Sequence, residues 1–173
     1  MTKQHSHTTI PFTSKKFPIT IICDGLQSPA NIGALFRISD AFGVAEIIFS
    51  ASKIDFSSNR LLRTARGTVA KTAFRETHDV LSEIQQLKAK GTLVIALEVT
   101  RDSIPLEALT LSKVKQTLLI IGNEQVGISD ALLEQADHRV HIEMYGQNSS
   151  MNVVQATGIA LYSMTNTLKQ LVE

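Results

Sequence analysis

Apolar residues recur along this chain in two alternating rhythms. Pro18 to Cys23 is a continuous apolar run, the pattern of a strand buried on both faces. From Ala30 to Phe42 the apolar positions Ile32, Leu35, Phe36 and Phe42 follow helical spacing, and Gly43 ends them. Glu46–Phe49 predicts a second strand, Ser57–Ala65 a short helix, and Thr72–Arg75 a weak strand. Val80–Lys90 predicts a helix closed by Gly91, and Leu93–Leu97 and Thr117–Ile121 predict strands. Ser129 is placed to cap a short helix reaching Leu133, and Val140–Met144 predicts the last strand. Ser149 or Ser150 then opens a long helix to about Val172, with Val153, Ala156, Ala160, Met164, Leu168 and Leu171 on one stripe. Strand–helix alternation throughout predicts an α/β fold, a mostly parallel sheet with helices on both faces. Residues 1–17 read as a polar leader and 18–173 as a single domain, since 173 residues fit one compact unit.

Composition narrows the class. Hydrophobic residues make up 43% and aromatics only 5%, with no Trp, so a largely aliphatic core is expected. Cys23 is the only cysteine and lies inside the first apolar run, which predicts a buried, inert thiol. No apolar stretch reaches the roughly 20 residues of a membrane span, and the N-terminus lacks a signal-peptide pattern. The expectation is a soluble, cytoplasmic protein with no membrane partner.

The net charge is +1, so overall charge announces no partner. Its distribution changes the picture. Between Ala51 and Arg75 stand six basic residues and one acid. Arg60, Arg63 and Arg66 advance by three positions, about 300° each, and so share one side of a helix. Such a face suits phosphate. Lys15 and Lys16 are further candidate phosphate contacts, in a segment with no acid before Asp24.

Candidate chemistry gathers in three places. Gly33 interrupts a helical pattern, where it costs about 1 kcal/mol relative to Ala and implies a close approach; Asn31 precedes it in position to cap the helix, and Arg37 follows. Gly122-Asn123-Glu124-Gln125-Val126-Gly127 follows an apolar strand and exposes backbone polar groups. It is neither a phosphate-binding P-loop nor a nucleophile elbow. Tyr145 to Asn152 supplies more hydrogen-bonding groups than one helix cap needs. His138 and His141, three apart on a strand, point to opposite faces, which argues against a shared metal.

In order and spacing these residues resemble the SpoU-type ribose 2′-O-methyltransferases of the SPOUT superfamily. The matching motifs are Asn31-x-Gly33-x-x-x-Arg37, Gly122-Asn123-Glu124-x-x-Gly127, and Ile142-Glu143-Met144 followed by Ser150-Met151-Asn152-Val153. The resemblance runs from about Pro18 to about Leu168; Glu143 in place of the family's Pro and the polar Gln155 are departures. It implies a C-terminal trefoil knot, S-adenosylmethionine as cofactor, a homodimer, and methyl transfer to transfer or ribosomal RNA without a metal. By the same resemblance Leu97, Gly122, Asn123, Gly127, Ile142, Met144 and Met151 would hold the cofactor, and Arg37, Asn31, Glu124, Ser150 and Asn152 would form the catalytic group. A glutamate at 143 could sit near the sulfonium. The alternative is an RNA-binding protein that keeps the fold without catalysis.

Overall fold

A computed structural model describes residues 13–111 and 116–170 of the chain. Its elements are β1 (Phe17–Asp24), α1 (Pro29–Ala41), β2 (Val44–Ser50), α2 (Asn59–Ala65), β3 (Ala73–Thr77), α3 (Val80–Ala89), β4 (Leu93–Leu97), β5 (Ile104–Pro105), β6 (Thr117–Ile121), α4 (Asp130–Leu133), β7 (His138–His141) and α5 (Val153–Gln170), with 3₁₀ turns at Thr68–Ala70 and Leu106–Ala108. The seven strands form one sheet in the order β3-β2-β1-β6-β4-β7-β5. Every pairing in it is parallel, as the predicted alternation requires.

Strand periodicity sorts the core into two layers. Ile19, Ile21 and Cys23 of β1, Ile47 and Phe49 of β2, and Leu119 and Ile121 of β6 face α1, α2 and α5. Ile22, Ile48, Leu118 and Ile120 face the opposite way, against Ile84 of α3 and Leu132 of α4. The first layer is less aliphatic than composition suggests. Phe36, Phe49, Phe56 and Phe74 cluster there, with ring centroids 4.7 to 6.4 Å apart.

Several local expectations need correction. The helix of residues 29–41 is capped by Ser28, whose hydroxyl accepts the Asn31 N–H at 3.4 Å, with Pro29 at its first turn. Asn31 is therefore inside the helix rather than its cap. The last strand ends at His141, so Ile142 to Met144 leave the sheet. The final helix starts at Val153, not Ser149. Asn152 caps it, its Oδ1 accepting the N–H groups of Val154 (2.9 Å) and Gln155 (3.3 Å). Ser129 sits at the cap of α4, yet its side chain makes no capping bond. The two-residue β5 had no periodic signal. Leu171 and Val172, with Lys3, His5 and His7, lie outside the described residues.

Two helical glycines, Gly33 on α1 and Gly158 on α5, differ in what their packing demands. A Cβ on Gly33 would stand 2.4 Å from the Leu61 carbonyl oxygen, so α1 and α2 approach backbone to backbone at this position. A Cβ on Gly158 would meet only Ile38 Cδ1, the movable end of a side chain, at 2.5 Å. Gly33→Ala should therefore destabilise the fold by about 1–3 kcal/mol despite alanine's better helix propensity. Gly158→Ala should change stability little. Urea unfolding midpoints that rank the two the other way would contradict this packing.

Candidate functional site

The strands run parallel, so their carboxyl ends lie together, and β1 and β6 lie where the strand order turns to opposite sides. Open α/β sheets bind ligands at such a place. Here it is a cavity of about 650 Å³. Leu97 closes β4 and Gly122 follows β6, while Ile142 and Met144 follow β7; with Asn123, Gly127 and Met151 they line the cavity. Asn31, Glu124, Ser150 and Asn152 line it too. Three segments far apart in the sequence thus meet in one hollow.

Glu124 ties them. Its Oε1 accepts hydrogen bonds from the Ser28 N–H and from Asn31 Nδ2, both at 3.0 Å, and its Oε2 lies 3.4 Å from the Gln27 N–H. A carboxylate placed at the amino end of α1 also meets the positive end of the helix dipole. Asn31 then passes the connection on, its Oδ1 accepting from Asn152 Nδ2 at 3.1 Å. Asn152 in turn caps α5. Burial of Glu124 opposes its ionisation, but the donors from Asn31, its own backbone, Ser28 and Gln27 outweigh that and hold the carboxyl below its ordinary range.

The turn after β6 is built by Asn123. Its amide donates to the Gly25 carbonyl at 2.6 Å, and its Oδ1 accepts the N–H groups of Gln125 (2.8 Å) and Val126 (3.2 Å). A Cβ on Gly122 would lie 2.3 Å from the Gly127 carbonyl carbon, so the turn can fold back only on a glycine. Cys23, behind the site, is fully buried; burial, and secondarily the charge of Glu124, push its thiol well above the ordinary value. It is inert, as expected.

Among the cavity residues that sequence reasoning missed, two are titratable. Glu98 follows the end of β4; its Oε1 accepts the Val99 N–H at 2.9 Å and its Oε2 the Ile128 N–H at 3.2 Å. The available signal was position: an acid directly after an apolar strand run. His141 lines the cavity while its Nδ1 lies 2.9 Å from Ser103 Oγ. That oxygen is also 2.8 Å from the Thr100 carbonyl, a separation that requires a proton between them, and it accepts the Thr100 N–H at 3.0 Å. The serine's single proton is committed to Thr100, so Nδ1 of His141 carries a hydrogen.

Other predicted residues lie elsewhere. Arg37 is exposed on α1 and does not line the cavity. It stands six residues beyond Asn31, about 9 Å along the helix axis. Glu143 is exposed and outside the lining, where it accepts from the Tyr145 hydroxyl at 2.8 Å. The idea that it sits near a sulfonium does not hold: alternation turns Ile142 and Met144 inward and Glu143 outward. Arg60, Arg63 and Arg66 are exposed on and just after α2 and make no ion pair among the described residues; Arg66 itself is the left-handed cap, with φ 49°. Lys16 donates to the Val44 carbonyl at 3.0 Å, and Lys15 stands 5.1 Å over the Phe17 ring. Both are at the amino end of β1, the end remote from the cavity.

Residues 18–162 match the SpoU rRNA Methylase family. The chain is 29% identical over 144 residues to the 23S rRNA (guanosine(2553)-2′-O)-methyltransferase RlmP of Bacillus subtilis, covering 83% of this chain and 56% of that protein. It is 26% identical over 147 residues to the tRNA (guanosine(18)-2′-O)-methyltransferase of Aquifex aeolicus, covering 83% and 67%. Among solved structures, the AdoMet-bound rRNA methyltransferase from Sinorhizobium meliloti superposes with a TM-score of 0.80 at 26% identity, over 91% of this chain and 59% of that one. The chain spans about half to two thirds of the length of the curated relatives it matches.

The hydrogen bonds around Glu124 carry a pH dependence. A carboxyl whose folded pKa is lowered stabilises the fold above its unfolded value, about 4.3, and that contribution is lost as pH falls through the folded value. Glu124→Gln should therefore be less stable than the wild type at pH 7, and the gap should close by about pH 3. Urea midpoints for the two proteins that stay parallel from pH 7 to pH 3 would refute this account of the site.

Proposed function

The chain belongs to the SpoU rRNA methylase family, and on that footing we propose that it transfers the methyl group of S-adenosylmethionine to a ribose 2′-hydroxyl of transfer or ribosomal RNA. The observation that carries the proposal is the convergence of Asn31, the 122–127 turn and the 142–152 segment on one cavity, locked by hydrogen bonds from Glu124 through Asn31 to Asn152. The names of the relatives from Bacillus and Aquifex support the reaction class and its RNA substrates; the bound AdoMet in the Sinorhizobium relative supports the cofactor.

The cavity fits that cofactor. Leu97, Ile121, Ile142, Met144 and Ala156 offer apolar walls, the 122–127 turn offers backbone polar groups, and Glu98 and Glu124 are the charged groups in the lining. When bound, the cofactor supplies an activated methyl on a cationic sulfur, open to in-line attack by the ribose oxygen. The protein's part is to align the partners, exclude water and manage one proton. Asn31, Asn152 and Ser150 present amide and hydroxyl groups at the cavity, and Glu124 fixes the first of them. Arg37 would hold phosphate and 2′-oxygen and stabilise negative charge developing on that oxygen; an arginine stays cationic at neutral pH and is a poor base.

Arg37 reaches a cavity, in this proposal, across a homodimer. Its exposure away from the cavity of its own chain supports this, as does an exposed stripe on α5 of Gln155, Ile159, Tyr162 and Asn166. Ile159 is 43% and Tyr162 62% exposed in the single chain. We extend the proposal to a single domain with a C-terminal trefoil knot, entered at Phe17, the first residue of β1, rather than at residue 18. All described elements pack on or around one sheet, and α5 lies against α1, β4 and the Leu106–Ala108 turn. Arg60, Arg63 and Arg66, with Lys15 and Lys16, would contact RNA phosphates. A cytoplasmic location follows from such substrates. No described helix is long and apolar enough to cross a membrane.

Mapping of 2′-O-methyl sites in total RNA from cells with and without the protein is expected to show a site that disappears; identical maps would refute the activity. Arg37→Ala should lower kcat about 100-fold or more while cofactor affinity in calorimetry stays within about threefold. Equal loss of both would remove Arg37 from the reaction. Mixing inactive Arg37→Ala with inactive Ala156→Phe, which fills the cavity, should restore part of the activity if the arginine crosses the dimer; no restoration would place its action within one chain. Arg63→Ala should weaken RNA binding and reduce the salt slope by about 1, and an unchanged slope would exclude a phosphate contact.

A further inference from the structure

Among the described residues, the charged and titratable groups lining the cavity are Glu98, Glu124 and His141, and no lysine or arginine joins them. Two of the three are already committed. Glu124 spends its oxygens on the amino end of α1 and on Asn31. His141 gives its Nδ1 hydrogen to Ser103. Glu98 is different. Each of its oxygens takes one backbone N–H, from Val99 and from Ile128. An ionised carboxylate can accept about four hydrogen bonds, so half its capacity remains.

The backbone holds this carboxylate in place from two sides. Glu98 directly follows Leu97, the last residue of β4, so the sheet sets its position. Its Oε2 lies against Gly127, where a Cβ would stand 2.5 Å away and force the carboxylate out. Gly127 also has φ +73°, so two independent constraints favour glycine beside this carboxylate. Glu98 belongs to none of the three sequence motifs. A half-buried, fixed carboxylate in a hollow lined by no lysine or arginine among the described residues is a selector for a cationic ligand.

We propose that Glu98 reads the positive charge of the methyl donor and so discriminates the sulfonium cofactor from its neutral thioether product. This rests on the methyl-transfer reading of the site. Transfer breaks the sulfur–methyl bond, whose electron pair stays on sulfur, and forms the bond to the ribose oxygen, whose proton passes to solvent; sulfur goes from a positive charge to none. The field of Glu98 then no longer holds the ligand, and product leaves while donor binds. Glu98 takes no part in bond making; it is a specificity residue.

Calorimetry on the full-length protein separates the outcomes. Glu98→Gln should lower affinity for S-adenosylmethionine about tenfold and for S-adenosylhomocysteine by no more than about twofold, with retained product binding reporting an intact site. Equal loss for both ligands, or no loss for either, overturns the proposal. Glutamine places an NH₂ where one oxygen accepted an N–H and can unsettle the turn, so the wild-type protein provides a second measurement. An analogue with an ammonium nitrogen in place of the sulfonium should bind it about tenfold more tightly than S-adenosylhomocysteine, and equal or weaker binding overturns the role of Glu98. A wild-type protein that binds none of the three ligands overturns the methyl-transfer reading itself, and this proposal with it.

Discussion

One carboxylate at the head of one helix organises this protein. Glu124 leaves the end of β6 and docks on the N–H groups that α1 cannot satisfy within itself. The same oxygen that takes the Ser28 N–H also takes the Asn31 amide, which turns Asn31 toward Asn152. A helix needs its first N–H groups satisfied, and here that need is met from about a hundred residues away. Capping, loop closure and site assembly are consequently one set of bonds. Each end is itself the start of a helix, so the site inherits the rigidity of α1 and α5 rather than the mobility of loops.

Glycine does the complementary work of letting backbones approach. At Gly33 the approach is between α1 and α2, which sets where the head of α1 stands. At Gly122 it folds the 122–127 turn onto itself, and at Gly127 it leaves room for the carboxylate of Glu98. These contacts explain why a protein with an ordinary aliphatic sheet spends glycine in a helix and at both ends of a turn. The packing that positions α1 and the chemistry that α1 presents cannot be altered separately.

Charge is arranged with equal economy. The cavity carries carboxylates and, among the described residues, no lysine or arginine, whereas the arginines on and just after α2 stand on the outside. The two fields suit different partners: a hollow for a cationic small molecule, and a surface for a polyanion. The near-neutral total hides this division, because opposite charges on different surfaces cancel in the sum but not in space.

By itself the sequence determined the alternation of elements, the two-sided burial of the strands, the inert thiol at Cys23 and the residues of the three motif segments. All of these depend on neighbours within a few positions, where period and turn chemistry act. It misplaced the cap of α1, the start of α5 and the end of β7. Ser28 and Asn152 both compete with equally plausible polar neighbours, and the winner is decided by what else each side chain reaches. Only the tertiary structure decided that Asn31 serves Glu124 and Asn152, that Glu98 enters the cavity, and that Arg37 stands off it. Those outcomes rest on contacts spanning 93 and 121 residues and on the register of strands that are not consecutive in the chain. No local pattern encodes either one.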